Sequence, residues 1–194
     1  PARRDEGYTA WVTIQIGCDN SCAFCIVPAV RGEEISRPFD RLVDEVAGLA
    51  ESGVTEVTLL GQNVNSYGSD LPDGYRFSSL LRNVAVQTGV RLLRFVTSHP
   101  RDFTPDIADV MAAHGDVICP SVNLPIQSGS DRVLKMMNRG YNLDQYRAAV
   151  SSIRERLPGA GLTTDLIVGH PGETDDDFRR SQDALEEFRF DLVH

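Results

Sequence analysis

Three of the four cysteines in this chain of 194 residues are crowded together with the spacing C-x3-C-x2-C. They are Cys18, Cys22 and Cys25. Thiolates this close act as a redox pair, as ligands of a metal ion or as ligands of an iron–sulfur cluster. A structural zinc site takes four protein ligands, and this segment supplies three. The fourth cysteine, Cys119, is far away in a predicted strand, where we interpret it as a small buried hydrophobic residue.

A loop with three cysteines on an α/β scaffold favours a cubane iron–sulfur cluster with one iron left open. Such an iron is a Lewis-acidic position for a substrate or cofactor. Histidines are few, and only His99 and His170 stand where loops follow predicted strands. A binding module in which the cysteines hold zinc stays open as an alternative.

The apolar pattern predicts strands and helices in alternation. The predicted strands cover residues 10–16, 54–60, 91–97, 117–124, 162–168 and 190–194. The predicted helices cover residues 42–50, 78–88, 106–114, 133–137, 143–157 and 175–188. Strands apolar enough for burial on both faces predict parallel βα units with right-handed crossovers. The fold class is therefore α/β, as an open doubly wound sheet or a barrel, and both place ligands at the carboxyl ends of the strands.

The composition narrows the class of protein. Hydrophobic residues make up 41% of the chain and charged residues 24%, which is typical of a globular domain. The net charge of −9 argues against binding of a nucleic-acid backbone by this segment alone. No apolar run approaches a membrane span and no signal peptide is evident, so we expect no membrane partner. Clustered cysteines of this kind favour a reducing, cytoplasmic setting.

The cysteine segment closely resembles the signature of the radical SAM superfamily, including the aromatic Phe24 before the last cysteine. The resemblance implies a partial (β/α)6 TIM-like barrel of parallel strands. It implies that Cys18, Cys22 and Cys25 hold a [4Fe–4S] cluster whose open iron is chelated by S-adenosylmethionine. One electron from the cluster would then cleave this cofactor to methionine and a 5′-deoxyadenosyl radical.

The resemblance also places the contacts to S-adenosylmethionine. They follow the second, fourth and fifth predicted strands, at Gly61, Gln62, Asn63, Gln127, Ser128, Asp165, Ile167 and Gly169. Each position has a structural interpretation as well. A glycine can serve a positive φ, Ile167 can belong to the core, and Gln127 can cap the following helix.

Longer stretches resemble one subgroup, the MiaB type of the tRNA methylthiotransferases. They are residues 25–28, 31–32, 36–38, 53–68, 124–130, 163–169 and 171–174. Residues 61–68 discriminate, because the ribosomal-protein and threonylcarbamoyladenosine branches differ there. Two residues depart from the subgroup pattern: Asn123 replaces an expected histidine and His170 an expected phenylalanine.

The subgroup implies insertion of sulfur at C2 of N6-isopentenyladenosine beside the tRNA anticodon, together with methylation of that sulfur. One S-adenosylmethionine supplies the methyl group and another the radical. We expect residues 1–194 to be a single radical SAM domain of a longer protein. The family implies an upstream domain with a second [4Fe–4S] cluster and a downstream TRAM domain that binds most of the tRNA. It also implies an electron donor such as flavodoxin or ferredoxin, and a monomer.

Two further interpretations stay open. One is a radical SAM methylthiotransferase with another substrate, beside the zinc module named above. The other concerns Arg31 and Arg37, which flank the cysteine loop. They could meet the cofactor carboxylate or an RNA phosphate, or they could form structural ion pairs with Glu33, Glu34 or Asp40.

Overall fold

Strands and helices alternate along the chain in the computed structural model, which describes residues 3–5 and 7–194. The strands are β1 (Arg3–Asp5), β2 (Thr9–Thr13), β3 (Gln15–Ile16), β4 (Ile35–Ser36), β5 (Glu56–Leu60), β6 (Leu92–Phe95), β7 (Ser121–Asn123), β8 (Gly161–Thr164) and β9 (Leu192–Val193). The helices are α1 (Val27–Arg31), α2 (Phe39–Glu51), α3 (Phe77–Gln87), α4 (Pro105–Ala113), α5 (Asp131–Met136), α6 (Leu143–Arg156) and α7 (Asp175–Phe188). A 3-10 turn covers Val64–Ser66.

Six parallel strands follow one another in chain order, as the predicted α/β class requires. β2, β5 and β6 form one parallel group, and β7, β8 and β9 form another. A parallel bridge between Leu93 and Ile118 connects the two groups. Within the described residues no pairing joins β9 back to β2, so the strands form an open series. The prediction of a partial barrel of six βα units is confirmed.

Several predicted bounds differ from the observed ones. The strand predicted at 117–124 is reduced to β7 and the bridge at Ile118, because Pro120 has no backbone N–H for the ladder. The strand predicted at 10–16 divides into β2 and β3, which belong to different sheets. β1, antiparallel to β2, was not predicted.

The longer helices, α2, α3, α4, α6 and α7, follow strands or loops and bury one face each, whereas the short α1 buries no residue. α2 buries Phe39, Leu42, Val43, Val46 and Leu49, which recur at the helical period. α7 begins with a capping box between Thr174 and Asp177. Neighbouring pairs of helices, α2 with α3, α3 with α4, and α4 with α6, pack together in chain order. No helix of the described residues is long and apolar enough to cross a membrane.

A buried hydroxyl connects β8 to the segment after β7. Thr164 is fully buried, and its Oγ1 donates to the carbonyl of Leu124 at 2.9 Å. The same oxygen accepts the N–H of Ile126 at 2.8 Å. These bonds fix the backbone just before the loop that carries Gln127.

Replacing Thr164 by valine keeps the shape of the side chain but takes away the acceptor of the buried Ile126 N–H, while the Leu124 carbonyl still accepts from the Tyr146 hydroxyl at 2.7 Å. We expect Thr164→Val to lower the free energy of unfolding by about 1–3 kcal/mol. The measurement is urea denaturation followed by circular dichroism. Thr55→Val is the matched control, since the Thr55 hydroxyl makes only an exposed bond of 3.3 Å. A loss no larger than that of the control would contradict this account.

Candidate functional site

The cysteine loop is closed at its base by a short antiparallel ribbon. β3 and β4 pair Gln15 with Ser36 and Ile16 with Ile35. Beyond the ribbon, the N–H of Cys18 donates to the carbonyl of Gly32 at 3.2 Å. Gly17 has a φ of 75°, and a Cβ there would lie 1.9 Å from the carbonyl oxygen of Glu33. Only glycine fits this crossing. Residues 17–41, for which the sequence predicted neither a strand nor a helix, thus contain β4 and the helix α1.

The three thiols of this loop line one cavity of about 110 Å³. Cys18 is buried, Cys22 is half-buried and Cys25 is exposed. Burial raises the pKa of the Cys18 thiol, although hydrogen bonds involving Asn20 oppose the rise. Asn20 and Phe24 also line the cavity. The three thiols therefore lie at different depths, with Cys18 in the interior and Cys25 at the surface.

The other walls come from the carboxyl ends of parallel strands. The loops after β5, β6 and β7 contribute Gln62, Thr97, Ser98, His99, Pro125 and Gln127. Of the predicted site residues, the structure thus brings Cys18, Cys22, Cys25, Phe24, Gln62 and Gln127 to one cavity. This is the edge at which parallel α/β folds bind ligands.

Two residues of the cavity wall hold a left-handed backbone. Thr97 has a φ of 70° and Gln127 a φ of 66°. Such angles are costly for a β-branched residue and uncommon for glutamine. The N–H of Gln127 donates to the carbonyl of Asp165, and its own carbonyl accepts from Ile167. These bonds hold Gln127 in place, so the unusual angle is enforced by the neighbouring strand.

Three buried polar atoms in the cavity wall have no hydrogen-bond partner among the described residues. They are Gln62 Oε1, Ser98 Oγ and His99 Nε2. Buried polar groups are normally paired, because an unpaired one costs about 1–3 kcal/mol. The cavity is therefore suited to a polar ligand with both donors and acceptors.

His99 is held as a neutral imidazole. Burial lowers its pKa to about 3, and the nearby charge of Arg139 contributes to the shift. Its Nδ1 accepts the N–H of Arg101 at 3.3 Å. Its ring meets the edge of Tyr141. A neutral ring whose Nδ1 is an acceptor carries its proton on Nε2, the atom without a partner.

Gly61 and Asn63 lie beside the cavity and not in its wall. A Cβ on Gly61 would stand 2.9 Å from Cγ of Gln15, so the glycine permits close packing there. The carbonyl of Asn63 accepts from Gln15 Nε2 at 2.8 Å, and Asn63 Nδ2 donates to Asp102 at 2.7 Å. Asn63 instead lines a second, polar cavity of about 210 Å³ that shares Asn20 with the first.

Ser128 is fully buried, and its hydroxyl faces α7. Its Oγ accepts the N–H of Ser130 at 3.2 Å and lies 3.4 Å from Ser181 Oγ. These contacts hold the loop after β7 against α7. They explain the burial of Ser128 without a ligand.

The residues after β8 lie further along the same edge. Asp165 accepts from Nδ2 of Asn123 at 3.3 Å, so this departure from the subgroup pattern keeps a polar contact between β7 and β8. Ile167 is half-buried, and Gly169 is exposed with a φ of 78°. His170 lies in the turn where its carbonyl accepts from Glu173. The cysteine cavity is not lined by Asp165, Ile167, Gly169 or His170.

A clamp that the sequence did not indicate holds the tip of the cysteine loop. This clamp is residues 137–139, directly after α5. The N–H of Ala23 donates to the carbonyl of Met137 at 2.9 Å. Asn138 Nδ2 donates to the carbonyl of Ser21 at 2.9 Å. Arg139 Nη1 donates to Cys22 Sγ at 3.2 Å. Asn138 and Gly140 both have positive φ, and this pair of turn residues around an arginine is the only local signal.

Arg37 and Cys119 both have contacts outside the cysteine cavity. Arg37 forms an ion pair with Glu45 and donates to the carbonyl of Thr13 at 2.8 Å. It therefore has a structural role, although none of the three expected acidic partners is used. Cys119 is half-buried, and Arg94 donates to its sulfur at 3.0 Å. It is not among the residues of the cysteine cavity.

The three cysteines of the cavity suit an iron–sulfur cluster. Within the described residues, no three His, Cys, Asp or Glu side chains are gathered closely enough to hold one ion. A cubane cluster binds each thiolate at a different iron, so its ligands stand further apart. The three thiols, the unpaired polar atoms of the wall and the cationic Arg139 suit an anionic cluster with a polar cofactor beside it.

The chain is similar to known proteins over nearly its whole length. A family model described as the radical SAM superfamily matches residues 12–185. The chain is 50% identical over 191 residues to the tRNA-2-methylthio-N(6)-dimethylallyladenosine synthase of Moorella thermoacetica. It is 49% identical over 191 residues to the synthase of the same name from Desulforamulus reducens. The alignments cover 98% of this chain but 43% and 42% of those relatives, so the chain spans less than half of their length.

Solved structures share the fold at low identity. The radical S-adenosylmethionine methyltransferase TsrM of Kitasatospora setae, solved with cobalamin and a [4Fe-4S] cluster bound, matches with a TM-score of 0.75. Its identity is 21%, over 94% of this chain and 35% of that chain. Coproporphyrinogen III oxidase (HemN) of Escherichia coli matches with a TM-score of 0.62 and 19% identity, over 94% of this chain and 43% of that chain. These likenesses show the fold alone.

The buried His99 makes stability depend on pH. Its folded pKa lies below the ordinary value of 6.5, so the unfolded chain takes up the proton first as the pH falls. The contribution of His99 to the free energy of unfolding is complete above about pH 6.5 and is lost progressively towards pH 3. We expect His99 to remove about 1 kcal/mol of the free energy of unfolding between pH 7.5 and 5.5, before iron is added.

The measurement is urea denaturation at the two pH values, for wild type and His99→Gln. The variant cannot titrate there, so its stability should fall less than that of wild type over the same interval. Equal falls in the two proteins would show that His99 is not held neutral.

Proposed function

The chain belongs to the radical SAM superfamily, and we propose that it is the radical-generating core of a tRNA methylthiotransferase. Enzymes of this superfamily use a [4Fe–4S] cluster and S-adenosylmethionine. The reaction we propose adds a methylthio group to C2 of N6-isopentenyladenosine beside the tRNA anticodon. The observation that carries the proposal is the cavity with three thiols, in a chain half identical to synthases named for this product.

Within the proposal, Cys18, Cys22 and Cys25 are the protein ligands of the cluster. The ribbon of β3 and β4 and the clamp at 137–139 hold the loop in place. When bound, the cluster and S-adenosylmethionine together supply a radical that can take hydrogen from a carbon atom of the substrate.

The remaining wall residues would bind the polar groups of the cofactor. Gln62 Oε1 is an unpaired buried acceptor and is suited to an amino group. The Ser98 hydroxyl and His99 Nε2 are unpaired buried groups that can donate to a carboxylate or a hydroxyl. Because His99 is neutral, it orients the ligand without adding charge. Gln127 places its side chain at the same cavity from a constrained backbone.

The partners of the reaction belong to the same proposal. We infer a cytoplasmic enzyme that acts on tRNA, receives electrons from a donor such as flavodoxin or ferredoxin, and works as a monomer. Residues 1–194 would be one domain. A second [4Fe–4S] cluster in an upstream domain and a downstream tRNA-binding domain fit the greater length of the relatives. They also fit the acidic charge of this domain, which favours a tRNA contact made mainly elsewhere.

The assembly of the cluster separates the proposed enzyme from a zinc-binding module. After anaerobic reconstitution with iron and sulfide, we expect a brown protein with about four iron atoms per chain. Cys22→Ala should lose most of this iron, since one of three ligands is gone, while its circular dichroism stays close to that of wild type. Cys119→Ala is the matched control and should retain the iron, because Cys119 lies outside the cavity.

Adding S-adenosylmethionine should change the EPR signal of the reduced wild-type and Cys119→Ala proteins. A colourless wild-type protein with one zinc ion per chain would contradict the proposal. Equal loss of iron in the two variants would contradict the assignment of ligands.

The tRNA substrate is tested in cells that lack the 2-methylthio modification. We expect the gene that encodes this chain, with its flanking coding sequence, to restore 2-methylthio-N6-isopentenyladenosine. Cys22→Ala should abolish the product and Cys119→Ala should leave it. Mass spectrometry of tRNA nucleosides gives the result. Unmodified tRNA, in cells where the wild-type protein carries its cluster, would favour a radical SAM methylthiotransferase with another substrate.

A further inference from the structure

Arg139 lies buried behind the cysteine loop, in direct contact with a proposed cluster ligand. The residue is 6% exposed, and its Nη1 donates to Cys22 Sγ at 3.2 Å. Its guanidinium also lies 5.5 Å from the centre of the Tyr141 ring. The Tyr141 hydroxyl donates to the carbonyl of Ile126 at 2.9 Å, close to the cavity wall. The position of the guanidinium is therefore fixed from two sides.

The charge of Arg139 has no carboxylate partner among the described residues. Its side-chain partners there are the Cys22 sulfur and the Tyr141 hydroxyl. Two other arginines near the loop each have a carboxylate partner: Arg101 pairs with Asp102 at 3.0 Å, and Arg37 pairs with Glu45. A guanidinium stays charged in proteins, and burying a charge is costly unless an anion compensates it. Arg139 itself lines the cysteine cavity, and Cys22 is the anionic group of that cavity that it contacts once the thiol is deprotonated.

Two basic neighbours of Arg139, His99 and Arg101, add no net positive charge beside Cys22. His99 packs against the same Tyr141 ring and is neutral, because burial and the charge of Arg139 both lower its pKa. Arg101 is neutralised by Asp102. The net charge facing Cys22 from the clamp is therefore that of one guanidinium.

We propose that Arg139 is a positioning residue that holds Cys22 and raises the reduction potential of the iron–sulfur cluster. When the cluster accepts one electron from a low-potential reductant, its negative charge increases by one. A fixed cation with a hydrogen bond to a ligand sulfur stabilises the reduced form more than the oxidised form. Reduction thereby becomes easier. The inference rests on the proposed cluster site and does not depend on the tRNA substrate.

The test is the midpoint potential of the reconstituted protein, titrated with dithionite and followed by EPR. Arg139→Gln removes the charge and keeps a donor, so we expect a more negative potential than in wild type. Arg139→Lys keeps the charge, so its potential should lie closer to that of wild type. Arg91→Met removes an exposed arginine before β6, at the opposite edge of the sheet, and should leave the potential unchanged. Iron content and circular dichroism accompany each titration.

An Arg139→Gln potential equal to that of wild type would overturn this inference alone. Equal shifts in Arg139→Gln and Arg139→Lys would also overturn it, since they would indicate disturbed packing and no effect of charge. If Arg139→Gln does not fold, Arg139→Met keeps the apolar stem and carries the same expectation. A wild-type protein that assembles no cluster would overturn both this inference and the proposed function.

Discussion

The candidate site depends on the hydrogen bonds that fix the cysteine loop at both ends. At the base, the ribbon of β3 and β4 and the bond from Cys18 to Gly32 close the loop. At the tip, Ala23 and Ser21 are held by residues 137 and 138, more than a hundred positions away in sequence. The thiols therefore acquire their arrangement only when distant βα units have assembled. The site therefore forms only when the domain folds.

Electrostatics at the site differ from the average of the chain. The domain carries a net charge of −9, yet the described groups around the three thiols include a buried guanidinium and a neutral imidazole. A cationic wall behind thiolates suits an anionic cluster, whereas the acidic exterior suits weak contact with RNA. The contrast is consistent with a domain that generates a radical while tRNA is bound mainly by other parts of a longer protein.

The sequence predicted the parallel α/β order because alternation of apolar strands and helices is a local pattern. It also indicated Cys18, Cys22 and Cys25 as candidate ligands, since three thiols in one short loop leave few chemical roles, and the structure places all three at one cavity. The predicted strand bounds near Pro120 were wrong, and the ribbon of β3 and β4 at the base of the cysteine loop was not predicted. Both features depend on pairing with other segments of the chain. The clamp at Arg139 was missed for the same reason. The cofactor contacts came from family resemblance, and the structure places Gln62 and Gln127 in the cavity but Ser128 against α7.

We propose that Cys18, Cys22 and Cys25 hold a cluster whose open iron binds S-adenosylmethionine directly. Electron–nuclear double resonance on the reduced, reconstituted protein tests it, with S-adenosylmethionine labelled with nitrogen-15 at its amino group. We expect a hyperfine coupling between the cluster and the labelled nitrogen, which disappears when unlabelled cofactor is used. A reduced cluster that shows no coupling to the label with cofactor in excess would show that the cofactor does not bind the iron through its amino group.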